Sequence, residues 1–348
     1  MTATLPPPRT GEPLVEIRDL EMHFPISKGL FRAPTDFVHA VDGISLDIAP
    51  GESVGLVGES GCGKSSTGRM LVKLMEPTGG SIMFRDGDYQ RDVAKVKGSE
   101  IKDFRARVQM IFQDPYESMN PRRTIFDTVS EPMAVQGVGS VAEREERVLE
   151  LLQLVGLTPA ASFLFRYPHE LSGGQRQRVA VARALVMNPT FVVADEPTSM
   201  LDVSIRISIM ELMTKLGRDL GVSYLYITHD LAVARYMCDR IAVMYLGKIV
   251  EIGPTEEILA NPKHPYTRAL LSAVPVPDPS LKRTPVEIKG GISAAINPPP
   301  ECRFIQRCPF AAQVCQENPH PPLEQQGDRH FVACYRVDEI DSMTEAAS

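Results

Sequence analysis

One short stretch of the chain, GESGCGKS at residues 58 to 65, contains three glycines, two serines and a lysine. Gly58 and Gly63 would let backbone N–H groups close around phosphate oxygens, and the Lys64 ammonium would reach the β and γ phosphates. The Ser65 hydroxyl is a ligand for Mg²⁺, and a helix beginning here directs its positive dipole end at the same anion. An apolar run precedes the stretch and a helix-like stretch follows it. These residues predict a phosphate-binding loop and hence a nucleotide site.

Two adjacent acids end a second apolar strand, Phe191 to Ala194. The Asp195 carboxylate can hold Mg²⁺ together with Ser65, and Glu196 can polarise an attacking water. Adjacent acids at a strand end are also typical of a solvated turn. Their position after a phosphate loop favours the metal and catalytic roles.

The segment Leu171 to Gln175, LSGGQ, lies more than a hundred residues after the loop. Ser172 is a natural N-cap, and the helix predicted from Gln175 to Val186 would point its N-terminus at an anion. Ordinary helix capping explains the serine alone. The two glycines, Gly173 and Gly174, are a costly way to cap a helix and suggest close approach to the backbone.

These positions require strands and helices around them. Leu14 to Phe24 and Val41 to Ile48 alternate apolar and polar residues, which predicts half-buried antiparallel strands. Glu143 to Leu154 has the period of an amphipathic helix, and Val222 to Thr228 is a short apolar strand. Strands that alternate with helices predict a parallel sheet.

The order of these motifs resembles the ATP-binding cassette of ABC transporters, with LSGGQ after a phosphate loop and before FVVADEPTS. Five motifs carry the resemblance over about residues 14 to 255. It implies an α/β fold of the ABC-type P-loop NTPase: a RecA-like core, an antiparallel β subdomain and a helical subdomain at about 103–186. It also implies an ATP hydrolase.

The same resemblance implies roles for single residues. Gln113 matches the Q-loop glutamine that contacts Mg²⁺ and water beside the transmembrane subunit, and His229 matches the switch histidine that reaches the γ phosphate. LSGGQ would face the ATP of an opposite cassette, and the D-loop ending at Asp202 would run along that seam, with Met200 in place of the more usual Ala. Phe24 resembles the aromatic that stacks on adenine. The residues implied to contact ATP are Phe24, Gly58, Glu59, Ser60, Gly61, Cys62, Gly63, Lys64, Ser65, Ser66, Ser172, Gly173, Gly174, Gln175 and Asp202.

Two of these assignments carry alternatives. An insertion, KGLFRAPTDF, follows Phe24, so Phe31 and Phe37 compete with it for the adenine ring. Cys62 lies inside the phosphate loop, and we expect a thiol open to alkylation rather than a catalyst.

The tail gathers four of the six cysteines in a proline-rich segment: Cys302, Cys308, Cys315 and Cys334. Four thiolates suit zinc or an iron–sulfur cluster, although paired CxxC knuckles are absent. Reduced structural cysteines without metal are the alternative.

This tail, from HPYTRALLSAVP through INPPPECRFIQRCPF, resembles the C-terminal extension of dipeptide and oligopeptide importer ATPases. The resemblance implies that the four cysteines ligate a 4Fe-4S cluster. It predicts a nucleotide-binding domain at 1–255 and an extension at 256–348. The implied partners are a second ABC ATPase, a paralogue that forms a heterodimer with this chain, two transmembrane permease subunits and, indirectly, a solute-binding protein.

Composition agrees with this interpretation. The 348 residues are 43% hydrophobic and 23% charged with a net charge of −7, which argues against a nucleic-acid binder with a broad basic face. No run approaches the length of a membrane span, and the first residues lack the regions of a signal peptide. We therefore expect a peripheral protein on the cytoplasmic face of the plasma membrane, with reduced thiols.

Two other classes of protein remain as alternatives. A non-transport cassette acting on ribosomes or DNA usually carries tandem cassettes or a long coiled coil, which this chain lacks. A redox-responsive regulator with a vestigial ATPase conflicts with the intact catalytic motifs. The sequence leaves the solute open, because relatives with similar ATPases carry peptides, nickel, glutathione and some sugars.

Overall fold

The structure is a computed structural model that describes residues 11–26, 35–273, 288, 291 and 295–345. It divides into two compact units. The first comprises Met1–Ala49, Val54–Ala94 and Thr228–Ser348, and the second comprises Pro50–Ser53 and Lys95–Ile227. The described tail past residue 255 thus shares a unit with the phosphate loop, and the predicted domain boundary at 255 stays a prediction.

The described chain forms strands and helices in alternation. The strands are β1 (Val15–Ile26), β2 (Asp36–Ile48), β3 (Ser53–Val57), β4 (Gly79–Asp86), β5 (Tyr89–Asp92), β6 (Val108–Ile111), β7 (Phe191–Asp195), β8 (Ser223–Thr228), β9 (Arg240–Tyr245), β10 (Lys248–Pro254), β11 (Glu324–Gly327) and β12 (His330–Val332). The α-helices are α1 (Lys64–Leu71), α2 (Glu100–Arg107), α3 (Ile125–Gln136), α4 (Val141–Leu154), α5 (Gly173–Leu185), α6 (Val203–Leu220), α7 (Leu231–Met237), α8 (Thr255–Ala260), α9 (Pro265–Ser272), α10 (Gln313–Glu317) and α11 (Val337–Glu345).

An antiparallel sheet in the first unit has the order β2-β1-β4-β5. The alternation that predicted β1 appears as alternate burial, with Val15 and Ile17 buried and Glu16 between them partly exposed. The prediction of two antiparallel strands is confirmed. Strand β2 begins at Asp36 rather than Val41, because its early residues pair with the end of β1, where Phe37 lies opposite Pro25.

Five further strands of the first unit have the order β11-β12-β10-β9-β3, with β9 and β3 parallel. The tail joins this sheet through a buried acid on β10. Glu251 is fully buried, and one of its oxygens lies 2.7 Å from Nε2 of His330 on β12. It also accepts hydrogen bonds from the backbone N–H groups of Lys263 and His264. A buried carboxylate with this many partners is satisfied, so it fixes the tail to the strand.

In the second unit, β8, β7 and β6 run parallel in that order. Every residue of β7 and β8 is buried, as expected for strands covered on both faces. Helix α4 confirms the predicted amphipathic helix, and a capping box between Ser140 and Glu143 begins it. The segment 103–186 also contains β6, because Val108–Ile111 pairs with β7. None of the helices in the described ranges is both long and apolar enough to cross a membrane.

Candidate active site

The phosphate loop joins β3 to α1, and its glycines are required by the fold itself. A Cβ added at Gly58 would lie 2.2 Å from the carbonyl oxygen of Met244 on β9. One added at Gly63 would lie 2.0 Å from the carbonyl oxygen of Ala40 on β2, and Gly63 has a φ of 110°. Close approach of a phosphate therefore explains these glycines only in part, because neighbouring strands already exclude a side chain.

Lys64 begins α1 and folds back over the loop. Its Nζ donates hydrogen bonds to the carbonyl oxygens of Gly58, at 2.8 Å, and Glu59, at 2.9 Å. The residue is only 5% exposed, while Ser60 and Gly61 at the loop tip are exposed. The ammonium is therefore held at the centre of the loop, where phosphate oxygens could replace the two carbonyl oxygens. A Mg-nucleotide fits this set of groups: the cradle of glycines, the buried Lys64 ammonium and the adjacent hydroxyls of Ser65 and Ser66.

Cys62 corrects one expectation. The residue is 3% exposed, and burial raises the pKa of its thiol although Lys64 lies beside it. A buried neutral thiol reacts slowly with alkylating agents, so the expectation of an open thiol is wrong. Cys238 is also buried, and burial raises the pKa of its thiol.

The acids at the end of β7 occupy different environments. Asp195 is 5% exposed, whereas Glu196 is partly exposed and has a φ of 43°. The Glu196 N–H donates to the carbonyl oxygen of Ile227, and its own carbonyl accepts from the Ser199 hydroxyl. Gln113, just past β6, donates from Nε2 to a Glu196 carboxylate oxygen at 3.2 Å. The structure thus brings together two residues predicted to be catalytic.

The LSGGQ segment forms a capping box at the start of α5. The Ser172 hydroxyl accepts from the Gln175 N–H, and the Gln175 side chain accepts from the Ser172 N–H. The predicted N-cap is confirmed. A Cβ at Gly174 would lie 2.6 Å from Cγ2 of Ile205 on α6, whereas one at Gly173 would meet only ordinary contacts. Packing between α5 and α6 explains Gly174, and Gly173 leaves its backbone accessible.

Other predicted residues lie at exposed ends of elements. His229 directly follows β8 and is exposed, and Asp202, also exposed, stands at the N-terminus of α6. Met200 is 64% exposed. Phe24 lies on β1 opposite Val38 and is 37% exposed, as a ring available for stacking must be.

Of the two residues that compete with Phe24 for the adenine ring, Phe37 pairs opposite Pro25. Phe31 lies outside the described residues. The assignment of Phe24 to adenine stays a prediction.

The four tail cysteines line one cavity, which His264 also lines. The Cys302 N–H donates to the carbonyl oxygen of Cys315 at 3.2 Å, and this hydrogen bond joins the two ends of the segment 302–315. Burial raises the pKa of Cys302 to about 12 and that of Cys308 to about 11, and the neighbouring thiols, including Cys334, add to both shifts. The structure therefore gathers the predicted ligand set in one place.

Sequence reasoning missed two residues that contact the phosphate loop from the tail. The Arg307 guanidinium forms two hydrogen bonds to the Glu59 carboxylate, at 2.7 and 3.1 Å. The Glu59 N–H donates to the Tyr266 hydroxyl at 2.8 Å. Tyr266 belongs to the motif HPY, in which His264 caps α9 through its Nδ1. The HPY motif is visible in the sequence, but only the fold shows that its tyrosine contacts the phosphate loop.

A second cluster that sequence reasoning missed surrounds Asp42. His23 and His39 stack with ring centroids 3.9 Å apart, and each places a ring nitrogen near the Asp42 carboxylate. Burial alone would raise the pKa of Asp42, but Lys248, Arg303 and the imidazoles outweigh it and hold the pKa at about 2. Two cations already neutralise this carboxylate, so the geometry favours a structural ion pair over a metal site.

Comparisons with known proteins agree with this geometry. A family model described as ABC transporter matches residues 41–199, and one described as Oligopeptide/dipeptide transporter, C-terminal region, matches residues 250–315. The dimeric post-hydrolysis structure of the ATP-binding cassette MJ0796 bound to ADP and Pi superposes with a TM-score of 0.60 at 30% identity. That match covers 69% of this chain and 98% of the other, and it supports the predicted α/β fold of an ABC cassette.

Curated relatives match almost the whole chain. The oligopeptide transport ATP-binding protein AppF of Bacillus subtilis is 46% identical over 327 residues, which cover 93% of this chain and 97% of the relative. The dipeptide transport ATP-binding protein DppF of Haemophilus influenzae is 44% identical over 330 residues, which cover 95% and 98%. On this evidence the chain belongs to the ABC transporter family, among its oligopeptide and dipeptide transport ATP-binding proteins.

Proposed function

We propose that this chain is the ATP-binding and hydrolysing subunit that energises import of dipeptides or oligopeptides. The observation that carries the proposal is the hydrogen bond from Gln113 to Glu196, which follows the buried Asp195 directly. This contact supports a role for Glu196 as a carboxylate oriented by an amide, beside an acid that could bind Mg²⁺. An importer for nickel, glutathione or another solute would use the same site, and a panel of solutes decides between them.

The mechanism follows from what each residue can do. The phosphate loop and the Lys64 ammonium bind and orient the phosphates. Asp195, the Ser65 hydroxyl and the Gln113 amide oxygen are the hard oxygen donors that would hold Mg²⁺, and the bound ion would neutralise charge on the β and γ phosphates. Glu196 accepts the proton of the attacking water, and Gln113 keeps the Glu196 carboxylate in place. His229 supplies a donor to the γ phosphate.

Completion of the site requires a second cassette. Ser172 and the Gly173 backbone lie at the exposed start of α5, where N–H groups and the helix dipole favour an anion. Together with the D-loop up to Asp202 they would contact ATP held by the partner. We propose that this partner is a paralogous ATPase. We also propose that the assembly contains two permease subunits and acts with a solute-binding protein, with this chain on the cytoplasmic face of the membrane.

Affinity purification from solubilised membranes tests this assembly. A tagged chain should recover a second ATPase and two polytopic membrane proteins in stoichiometric amounts. Recovery of ribosomes or DNA in their place would contradict the importer and support a non-transport cassette.

We further propose that Cys302, Cys308, Cys315 and Cys334 hold a 4Fe-4S cluster. Four thiols line one cavity, and four thiolates are the ligand set that such a cluster requires. Ligation of the cluster would stabilise the tail.

Anaerobic purification tests the cluster. The protein should be brown, with about four irons and four sulfides per chain, the composition of the proposed cluster. Cys308→Ser should remove the colour without abolishing Mg-ATP binding. Stoichiometric zinc without iron would assign the cysteines to a structural zinc site, and absence of any metal would leave reduced structural cysteines.

A further inference from the structure

We infer that Arg307 and Tyr266 of the tail are positioning residues for the phosphate loop, and that the four-cysteine site sets nucleotide affinity through Arg307. The inference deepens the proposed function, since it rests on nucleotide binding by this loop. Its evidence is a continuous set of contacts within the first unit, from the loop to the cysteines.

The contact begins at Glu59, the second residue of the loop. Its carboxylate accepts both hydrogen bonds of the Arg307 guanidinium, and its N–H donates to Tyr266. Its carbonyl oxygen accepts from Lys64. All three polar groups of Glu59 are therefore engaged, two of them by the tail. A residue held from both its backbone and its side chain has little freedom to rearrange when phosphate binds.

An aromatic layer of Tyr245, Tyr266 and Phe304 supports the Tyr266 hydroxyl and the Arg307 guanidinium. The Tyr245 and Tyr266 rings lie with centroids 4.6 Å apart, and Phe304 packs on both, at 5.1 and 5.5 Å. Arg307 also lies over the Tyr245 ring, with its Cζ 5.7 Å from the centroid. Tyr266 and Phe304 are almost fully buried, so the hydroxyl and the guanidinium project from a rigid base.

The same layer forms one wall of the cysteine cavity, because Phe304 lines it. Phe304 and Arg307 both lie in the short segment between Cys302 and Cys308. Consecutive turns close this segment, with the Ile305 N–H on Cys302 and the Cys308 N–H on Ile305. Any group that ligates both cysteines therefore fixes the two ends of the segment that presents Arg307 to the loop.

The expected consequence is tighter nucleotide binding. Ordering a loop in its binding shape before the ligand arrives removes part of the entropic cost of association. The Arg307 and Glu59 side chains are 10% and 21% exposed, so solvent screens their pairing little. A charged hydrogen bond of this kind corresponds to roughly 10- to 150-fold in an equilibrium constant, and we expect the part of it that orders the loop before binding to be worth roughly 5- to 20-fold in affinity.

Mg-ATP affinity of the purified full chain is the direct test. Arg307→Met should weaken binding roughly 5- to 20-fold, and Arg307→Lys should restore part of the loss. Arg235→Met is the matched control, because the Arg235 guanidinium also forms two hydrogen bonds to one carboxylate, that of Glu256, and is not among the residues that line the cysteine cavity. The inference is overturned if Arg307→Met binds as wild type does, or if Arg235→Met weakens binding equally.

Two further measurements separate positioning from folding. In the assembled transporter, Arg307→Met should raise KM for ATP and leave kcat near wild type, because Gln113 and Glu196 are untouched. Glu59→Gln breaks the same pair from the loop side and leaves the tail intact. The double variant, Arg307→Met with Glu59→Gln, should bind Mg-ATP no more weakly than the single variant that has the lower affinity. Additive losses of affinity would contradict a shared interaction.

A separate experiment tests whether the cysteine site affects nucleotide affinity through Arg307. Cys308→Ser should weaken Mg-ATP binding, and Cys308→Ser combined with Arg307→Met should be no weaker than Arg307→Met alone. Additive effects would overturn the link through Arg307. Iron and sulfide are determined on the same samples: wild-type protein without iron contradicts the proposed cluster, whereas the Arg307 and Glu59 results decide the positioning role independently.

Discussion

At the scale of single residues, the carboxylate that we propose as catalytic lies on a strained backbone. Glu196 has a φ of 43°, a region that non-glycine residues rarely adopt. Hydrogen bonds from its N–H to Ile227 and from Ser199 to its carbonyl hold it there. Such strain costs on the order of 1–3 kcal/mol and is found mostly at functional sites. Here it directs the side chain toward Gln113.

Replacement of Glu196 by glycine or alanine separates strain from chemistry. Both variants should lose hydrolysis, since neither has a base. Glu196→Gly should nevertheless unfold with a free energy about 1 kcal/mol higher than Glu196→Ala, because glycine adopts positive φ without a Cβ clash. Urea unfolding of the two variants measures the difference. Equal stabilities would show that the backbone at this position is relaxed.

At the scale of elements, the start of α5 is shaped by its contact with α6. A Cβ at Gly174 would meet Ile205 at 2.6 Å, whereas one at Gly173 has its nearest neighbour, Leu201, at 3.6 Å. The two adjacent glycines therefore serve different purposes. Gly174 permits close helix packing, whereas the packing does not require a glycine at Gly173, which is proposed to present its backbone to an anion.

Alanine substitutions distinguish these purposes. Gly174→Ala should destabilise the fold by about 1–3 kcal/mol, since overpacking forces α5 and α6 apart. Gly173→Ala should change stability by much less. Addition of Ile205→Ala to Gly174→Ala should recover part of the loss. Thermal or urea unfolding provides the measurement, and equal effects of the two glycine variants would refute the packing explanation.

Local patterns predicted the elements well. The alternation in β1 and the capping residue Ser172 are confirmed, because neighbouring residues determine both. The explanation of Gly58, the accessibility of Cys62 and the role of Tyr266 required the fold. In each case the deciding partner lies far along the chain, as Met244 does for Gly58. No periodicity or short motif contains such a contact.

At the scale of the whole molecule, we propose that the chain carries parts of two nucleotide sites. Its phosphate loop binds one ATP, and the surface at Ser172 is proposed to meet the ATP of the partner cassette. The capping box shows that Ser172 also supports its own helix. The two roles can be separated, because capping needs only a side-chain oxygen whereas closure needs an unobstructed surface.

Ser172→Arg should abolish ATP hydrolysis in the assembled transporter while Mg-ATP affinity of the isolated chain stays near wild type. The reason is that a long cation obstructs the surface facing the partner and leaves the chain's own phosphate loop intact. Ser172→Ala, which loses only the cap, should cost about 1 kcal/mol of stability and keep most activity. A fall in isolated-chain affinity as large as that of Lys64→Ala would mean that the segment acts in cis.

The central claim is that hydrolysis at Glu196 drives peptide import. Its most direct test is uptake of a labelled dipeptide or oligopeptide by vesicles that contain the assembled transporter with wild-type or Glu196→Gln chain. The account predicts that Glu196→Gln binds Mg-ATP normally, hydrolyses it about 10² to 10⁴ times more slowly and loses peptide accumulation in parallel. Accumulation at the wild-type rate with Glu196→Gln would contradict it.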